Sequence, residues 1–320
     1  MIRLLNMGAG GAIEKRQKET MTPRRSEAST LVGLDIGGTK THAMSWKGGV
    51  VVAEATAGSA NIQNVSLVEA RASIAQVFQE LDAGAIDRVV AGAGGIDTEQ
   101  DAERLRAMIA LHAPNALIQV VHDSRLILAA GGAAAGMAVI LGTGSAVWGI
   151  NVAGQEARAG GWGYLLGDEG SGYWMGREAV RSTLRVFNRE EPPGELARLV
   201  LEANNVSSPD ELIGLFHGPT GRRYWAQQAS LVFAAHAHTD PQAAGIIDAA
   251  VGYVLEALGD VSKILAIKGP VVIGGGLGAN EPVYQQRLRT ALSAWGLEDL
   301  RFLDVDPVLG ALFLAGEPDS

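Results

Sequence analysis

The chain of 320 residues contains no cysteine. This absence excludes disulfides, iron–sulfur ligation, thiolate zinc sites and a cysteine nucleophile, and it makes a cytoplasmic location the simplest expectation. Charged residues make up only 19% of the chain, with 26 basic against 35 acidic residues. Because there is also no long basic stripe, the sequence gives little electrostatic support for nucleic-acid binding.

Long apolar runs are scarce as well. Residues 126–155 carry no charge, which is typical of a membrane span. Six glycines between Gly131 and Gly149 favour a short helix, a turn and a pair of strands instead, and a membrane span is the lesser interpretation. Residues 1–30 lack the apolar centre of a signal peptide, so we expect a disordered leader there, with Met21 as an alternative start.

Glycine is abundant, at 42 of 320 residues or about 13%, against a usual share of about 7%. Between the glycines the apolar periodicity predicts a three-stranded meander over 31–36, 41–46 and 50–55. A capping box at Ser66 and Glu69 predicts a helix to about residue 81. Strand 88–92, helix 98–111 and strand 117–122 should follow, which indicates a parallel sheet beside the meander.

The pattern of the first half returns weakly in the second. Residues 138–141, a glycine turn and residues 145–150 again predict strand, turn and strand. Helices are expected across 171–266, a strand over 271–273 and a last helix after Asp306. We therefore predict two α/β domains, the first formed by 31–124 plus 306–320 and the second, enlarged by helices, by 125–305.

The first glycine turn carries groups suited to a phosphate. Asp35 ends a predicted strand, and the turn that follows has two glycines, two hydroxyl groups and a lysine in the order Gly37, Gly38, Thr39, Lys40 and Thr41. Successive N–H groups in such turns form an anion nest, and a nearby carboxylate can hold Mg²⁺ directly or through water. An ordinary hairpin turn is the alternative. The matching turn of Gly142, Thr143, Gly144 and Ser145 favours phosphate binding, because two facing hairpins can grip the two ends of a polyphosphate.

Two further positions follow predicted strands. Gly274, Gly275 and Gly276 come after strand 271–273, where backbone can pass close to a nucleotide's base and ribose, although a plain strand-to-helix turn is the alternative. Asp123 follows strand 117–122 and begins a helix. It can cap that helix and also serve as a catalytic carboxylate.

Residues 160–174 form the most unusual stretch, because glycines, two carboxylates and several aromatic residues lie close together. We predict that Gly161, Trp162 and Asp168 bind a polyol there. Asn61 lies in the loop after the meander, where its amide could bridge ligand hydroxyls or simply shape a turn. The six histidines show no metal-binding spacing.

These motifs resemble one known group. The matching segments are DIGGTKT at 35–41, HDS at 122–124, LGTGSAVWGI at 141–150, GGWGYLLGDEGSGYWMG at 160–176, VVIGGGLGAN at 271–280 and DPVLGALFLA at 306–315. Together they resemble the N-acetylglucosamine kinase branch of the BadF/BcrA-type ATPase family, within the sugar kinase, Hsp70 and actin superfamily. The resemblance implies two RNase H-like domains of the actin and hexokinase type that flank a nucleotide cleft.

The resemblance also implies roles for the residues singled out above. The turns at 37–41 and 142–145 would be the phosphate loops and 274–276 the adenosine loop. Asp123 would be the catalytic base, and Asn61 and Asp168 would bind sugar hydroxyls. Asp35 would lie on the Mg²⁺ side. ROK-type sugar kinases usually carry a cysteine-rich zinc motif, which this chain lacks.

The function expected from the resemblance is phosphoryl transfer from MgATP to the 6-hydroxyl of N-acetylglucosamine or glucosamine. The alternative is a nucleotide-dependent switch that acts on a protein partner, as in BadF-type activators, although the lack of cysteine argues against that branch. We expect a small sugar as the ligand, no nucleic acid and no membrane. A homodimer is left open.

Overall fold

The computed structural model describes residues 29–96 and 98–316. Residues 1–28, which make up most of the predicted leader, and residues 317–320 lie outside the described part of the chain. The described residues form two five-stranded sheets with helices around and between them.

The first sheet combines a meander with parallel strands. Its order is β3-β2-β1-β4-β5, where β1 to β3 are antiparallel and β4 and β5 run parallel to β1. The strands are β1 (Thr30–Ile36), β2 (Lys40–Lys47), β3 (Val50–Gly58), β4 (Arg88–Ala93) and β5 (Leu117–His122). Helix α1 (Leu67–Leu81) begins at the predicted capping box, and α2 (Glu99–Ala110) links β4 to β5.

The second sheet repeats this topology in the order β10-β9-β6-β7-β8. Its strands are β6 (Gly136–Leu141), β7 (Ser145–Ile150), β8 (Glu156–Gly160), β9 (Val271–Gly274) and β10 (Leu300–Phe302). Strand β6 pairs antiparallel with β7 and parallel with β9, as β1 does with β2 and β4. The internal repeat seen in the sequence is therefore a repeat of the fold. The short strands β8 and β10 lie at the two edges of the sheet, and the sequence analysis did not predict them.

Helices surround the second sheet on its outer face. They are α4 (Gly172–Asn188), α5 (Glu195–Ala203), α6 (Pro209–His217), α7 (Arg222–Gln227), α8 (Ala229–Ala237), α9 (Pro241–Leu265), α10 (Gly276–Asn280) and α11 (Pro282–Ala294). The largest hydrophobic core packs most of them against β6, β7 and β9. The expected enlargement of the second half by helices is thus confirmed.

Helix α3 (Asp123–Ala130) connects the two sheets. Leu126 of α3 packs in a core with β1, β2 and the C-terminal helix α12 (Gly310–Leu314), whereas its neighbour Ile127 packs against the second sheet. Gly92 allows this contact, since a Cβ there would lie 2.3 Å from Leu126 Cδ1. The packing places the first residue of α3, Asp123, at the cleft between the sheets.

No helix in residues 29–96 and 98–316 has the length and apolar character needed to span a membrane. The charge-free stretch at 126–155 instead forms α3, β6 and β7, as its glycines indicate. The predicted domain boundary at 124/125 falls within the first turn of α3, and the one at 305/306 falls just before a 3₁₀ helix (Pro307–Leu309). The two boundaries stay a prediction.

Candidate active site

The first glycine turn joins β1 to β2. The Gly37 N–H donates to Lys40 O at 3.0 Å, and Ser59 Oγ donates to Gly37 O at 2.8 Å. Gly38, Thr39 and Lys40 are exposed on this turn and accessible to a ligand. Thr41 is fully buried, and its hydroxyl accepts the Ala60 N–H at 3.0 Å. Its predicted contact with the nucleotide stays a prediction, while its visible role is to anchor the loop that follows β3.

That loop carries Asn61 towards Asp123. Asn61 is buried, its N–H donates to Ser59 Oγ, and its Oδ1 accepts the Gln63 N–H at 3.0 Å. A Cβ placed on Gly94 would lie 3.0 Å from Asp123 Oδ2 and 3.2 Å from Asn61 Nδ2. The two predicted sugar-facing side chains therefore meet at Gly94, where the missing side chain leaves room beside both.

Asp123 combines its helix position with an open carboxylate. It is the first residue of α3, preceded by His122, whose Nδ1 lies 3.0 Å from Asp123 Oδ1 and 2.6 Å from Ser124 Oγ. Asp123 Oδ1 is buried, and apart from this contact with the His122 ring, which does not have hydrogen-bond geometry, it has no hydrogen-bond partner among the described residues. A buried oxygen of this kind is costly unless a ligand or water satisfies it, which is typical of a working site.

A second carboxylate lies within electrostatic reach. Burial, together with the negative charges of Asp123 and Asp306, raises the pKa of Asp35 to about 7, and His42 and Lys40 oppose the shift only in part. Such a carboxylate binds a proton near neutral pH and would release it to a cation. The donor set fits Mg²⁺, which prefers one or two carboxylates together with phosphate oxygens and water. The described residues hold no cage of three or more metal-binding side chains.

His42 lies between two carboxylates next to this group. Its Nε2 is 2.8 Å from Glu54 Oε1 and its Nδ1 is 2.9 Å from Asp306 Oδ2. The Asp306 carboxylate raises the pKa of His42 despite its burial. Burial alone would raise the pKa of Asp306, but His42 and the Val308 N–H outweigh it and lower that pKa. This ion pair therefore fixes Asp306, where the chain returns from the second sheet, against His42 of the first sheet.

The second glycine turn lies at the equivalent place in the second sheet. The carbonyls of Gly142 and Thr143 accept the N–H groups of Gly172 and Tyr173 at the start of α4, at 2.9 and 3.2 Å. Ser145 Oγ donates to Glu169 O at 2.7 Å. These hydrogen bonds attach the turn to the start of α4 and to the loop that precedes it.

The third glycine turn adjoins the second. A Cβ placed on Gly142 would lie 3.9 Å from Gly276 N, and one on Gly275 would lie 2.5 Å from Leu141 O. Gly275 also has a positive φ of 88°. Only glycine fits at that position, and the predicted adenosine loop of Gly274, Gly275 and Gly276 is brought directly beside the predicted phosphate loop.

Asp168 lies in a different environment from Asp123. Its side chain is 4% exposed, Arg222 Nη2 donates to its Oδ2 at 2.5 Å, and the Ser145 N–H lies 3.4 Å from its Oδ1. Burial raises the pKa of Asp168, and the Arg222 charge opposes the shift. Asp168 therefore belongs to the second turn, and no described contact joins it to Asn61 or Asp123.

Trp162 and Gly161 occupy the exposed side of the same loop. The Gly161 N–H donates to Ser145 O at 3.1 Å, and Gly161 has a φ of 72°. Trp162 is 60% exposed, with the Arg158 guanidinium 4.7 Å from its ring centroid. An exposed indole beside a left-handed glycine offers a flat apolar surface to a ligand.

Some residues of the site were absent from the sequence analysis. Gly94 and Gly95 had a visible signal, because paired glycines directly follow a predicted strand at the sheet edge where ligands bind. Arg222 had none, since it lies 54 residues after Asp168 and only the fold brings them together. Residues His42 and Glu54 lie on neighbouring strands, and their pairing depends on the register of β2 with β3.

Known proteins resemble this chain over most of its length. The model of the BadF/BadG/BcrA/BcrD ATPase family matches residues 32–315. An N-acetylmuramic acid/N-acetylglucosamine kinase of Clostridium acetobutylicum is 31% identical over 202 residues, covering 58% of this chain and 64% of that protein. An N-acetyl-D-glucosamine kinase of Dictyostelium discoideum is 25% identical and covers 89% of this chain and 97% of that protein.

Solved structures agree with these relatives. The crystal structure of a candidate N-acetylglucosamine kinase from Chromobacterium violaceum matches with a TM-score of 0.71 and 26% identity, covering 90% of this chain and 99% of that one. A ROK hexokinase from Thermus thermophilus matches with a TM-score of 0.52 and 17% identity, covering 89% of this chain and 97% of that one, which supports the fold alone.

Proposed function

Because the chain belongs to the BadF/BadG/BcrA/BcrD ATPase family and is a sugar kinase, we propose that it transfers the terminal phosphoryl group of ATP to the 6-hydroxyl of an amino sugar, N-acetylglucosamine or glucosamine. The observation that carries the proposal is the meeting of Asp123 and Asn61 around Gly94, together with two glycine turns that hold equivalent places in the two sheets.

The two turns bind the triphosphate. Backbone N–H groups of the exposed Gly38 and Thr39 and the ammonium of Lys40 face it from the first sheet. The turn around Thr143 and Gly144 faces it from the second sheet. The Gly274 to Gly276 turn beside Gly142 receives the adenosine, where the absence of side chains lets base and ribose approach the backbone.

Asp123 accepts the proton of the attacking hydroxyl. Its Oδ1 is buried beside the His122 ring without a well-formed hydrogen bond in the described chain, and its Oδ2 lies near Gly94, where Asn61 Nδ2 can donate to a sugar oxygen. General-base assistance of this kind contributes about 10²- to 10⁴-fold in rate. The rest of the acceleration comes from positioning and from charge stabilisation by the turns.

Mg²⁺ would be held on the side of Asp35, with Asp306 nearby. When bound, the ion neutralises negative charge on the phosphate oxygens. Burial and the neighbouring carboxylates raise the pKa of Asp35 to about 7, and a bound cation would favour its ionised form. His42 and Lys40 keep the remaining carboxylates of this side partly neutralised.

We call each sheet with its helices a lobe. The sugar site includes Gly161, Trp162 and Asp168 from the second lobe. Asp168 is fixed by Arg222 and the Ser145 N–H, so it can present a defined acceptor to a sugar hydroxyl once the lobes approach each other. Closure of the cleft around the sugar would exclude water from the transferring phosphoryl group.

The test is a coupled assay of ADP release with MgATP and a panel of N-acetylglucosamine, glucosamine and glucose. The proposal predicts ADP release that depends on an amino sugar and equals the sugar phosphate formed. Slow ADP release that no sugar stimulates would support the nucleotide-dependent switch instead.

A further inference from the structure

The loop that presents Asp168 has an uncommon backbone conformation. We call residues 168–171 the sugar loop. Asp168 has a φ of 62° and Gly170 a φ of 80°, so two of its four residues are left-handed. A side chain makes this conformation less favourable, so at Asp168 the surrounding contacts have to hold it. The position of the Asp168 carboxylate therefore depends on the groups that hold the sugar loop.

Three consecutive carbonyl groups of the sugar loop each accept a hydrogen bond from a different part of the molecule. That of Asp168 accepts the Ser171 N–H at 3.1 Å, within the loop itself. The next carbonyl accepts Ser145 Oγ at 2.7 Å, from the second glycine turn. Gly170 O accepts the Tyr284 hydroxyl at 3.0 Å. This last bond joins the sugar loop to α11, 114 residues further along the chain.

Tyr284 is a firmly held donor. It lies in the first turn of α11 and is fully buried in the largest hydrophobic core, with its ring centroid 6.2 Å from that of Phe233. Burial raises the pKa of the Tyr284 hydroxyl, so the group keeps its proton and stays a hydrogen-bond donor. Because the core fixes the ring, the hydroxyl is a fixed point of attachment for Gly170 O.

The start of α11 is itself attached to the helix before it. Helix α10 follows the predicted adenosine loop directly, and α11 follows α10. Gln285 Nε2, from the residue after Tyr284, donates to Gly278 O at 2.9 Å and to Ala279 O at 2.8 Å, so the two helices are joined. Tyr284 therefore attaches the sugar loop to the same helices that follow the predicted adenosine loop.

The contact at Gly170 leaves no room for a side chain. A Cβ placed there would lie 3.0 Å from Tyr284 Oη and 3.0 Å from Ala250 O on α9. The positive φ of Gly170 adds backbone strain to any substitution. A larger residue would therefore push the sugar loop away from α9 and α11, so the close approach depends on glycine.

We propose that Tyr284 is a positioning residue for sugar binding, whose hydroxyl holds the loop that presents Asp168 through its bond to Gly170 O. The inference rests on the proposed function, in which Asp168 binds a sugar hydroxyl. Loss of the Tyr284 hydroxyl loosens Asp168 without removing a group that contacts the sugar. The base Asp123 lies on α3 and is unaffected, so sugar binding should weaken while the chemical step and ATP binding change little.

The experiment measures kcat, KM for ATP and KM for N-acetylglucosamine, or for glucosamine if that is the better acceptor. Tyr284→Phe should raise the sugar KM about 3- to 10-fold, the scale of one neutral hydrogen bond, while kcat and the ATP KM stay within about twofold. The matched control is Thr183→Val, which removes another buried hydroxyl that donates to a carbonyl of this lobe, Ala179 O at 3.0 Å. It should keep all three values, and because KM does not depend on the amount of folded protein, a purely structural role of Tyr284 would leave the sugar KM unchanged as well.

Gly170→Ala tests the same contact from its other side and should also raise the sugar KM. Because both changes break one contact, the double variant should show a smaller rise than the product of the two single rises. An unchanged sugar KM in Tyr284→Phe, an equal rise in the KM of both substrates, or single effects that multiply fully would overturn the inference and leave the proposed function standing. If no sugar stimulates ADP release by the wild type, the proposed function fails, and the inference fails with it.

Discussion

The two glycine turns occupy equivalent places in two sheets of the same topology. The carboxylates beside them, Asp35 and Asp168, have different electrostatic environments. On the first lobe, Asp35 lies among other carboxylates, and its pKa rises to about 7. On the second lobe, Asp168 is also buried but has a dedicated partner, Arg222, at 2.5 Å. The carboxylates around Asp35 are only partly neutralised by His42 and Lys40, whereas the charge of Asp168 is paired with that of Arg222.

This difference separates two kinds of chemistry. Unbalanced carboxylates favour groups that bind transiently, such as a proton or a cation, and they suit the side of the cleft where charge moves during the reaction. A carboxylate fixed by an arginine and a backbone N–H keeps its position and suits recognition of hydroxyl groups. The two sheets of the same topology thus provide two similar glycine turns, and the pairing of the neighbouring carboxylate distinguishes one turn from the other.

The largest expected effect comes from Asp123→Asn. The amide cannot accept the hydroxyl proton, so kcat should fall by about 10²- to 10⁴-fold while ATP affinity changes little. The same change removes a negative charge beside Asp35, so the pKa of Asp35 should fall. Stopped-flow kinetics and nucleotide titration measure the first part, and NMR titration of the Asp35 carboxyl measures the second. Full turnover in this variant removes Asp123 from its assigned role.

A smaller effect is expected from Gly144→Ala on the second lobe. The added Cβ would lie 2.3 Å from Arg222 Nη2 and 2.8 Å from Asp168 Oδ2, so the pair must separate. We expect kcat/KM for the sugar to fall about 10-fold, the scale of one charged hydrogen bond. Gly245→Ala on α9, where no atom lies within 4 Å of the new Cβ, is the control and should keep wild-type kinetics while gaining some helix stability.

Arg222→Met tests the partner directly. Without the guanidinium, the Ser145 N–H alone opposes the effect of burial on Asp168, and the pKa of Asp168 rises further. The carboxylate is then protonated over a wider pH range, so KM for the sugar should rise several-fold, most strongly at low pH. A pH profile of sugar KM in wild type and variant is the measurement. If the sugar KM depends on pH in the same way in both proteins, Arg222 does not affect the protonation of Asp168.

The smallest effect concerns stability and pH on the first lobe. The folded protein protonates Asp35 up to about pH 7, whereas the unfolded chain releases that proton near the ordinary value of 3.8. Folding stability therefore falls as pH rises through this window. Asp35→Asn should flatten the dependence and raise the thermal midpoint above that of wild type at pH 8. The exposed Asp304→Asn serves as the control, and equal slopes for wild type and Asp35→Asn would contradict the assignment.

Much of this arrangement was predictable because it is local. The capping box at Ser66 and Glu69, the glycine turns and the position of Asp123 at the end of a strand are all read from a few adjacent residues. The pairings of Asp168 with Arg222 and of His42 with Asp306 depend on contacts between residues far apart in the chain. The edge strands β8 and β10 were missed because they have only five and three residues, too few for their alternation to be recognised, and pairing with neighbouring strands defines them.

The central claim is that a sugar hydroxyl held beside Asp123 receives the phosphoryl group of a nucleotide gripped by both turns. Phosphorus–proton correlation NMR of the product formed from MgATP and N-acetylglucosamine tests it most directly. The account predicts coupling of the new phosphorus signal to the two protons on carbon 6. Inorganic phosphate as the only new signal, or coupling to a proton at another carbon, would contradict it.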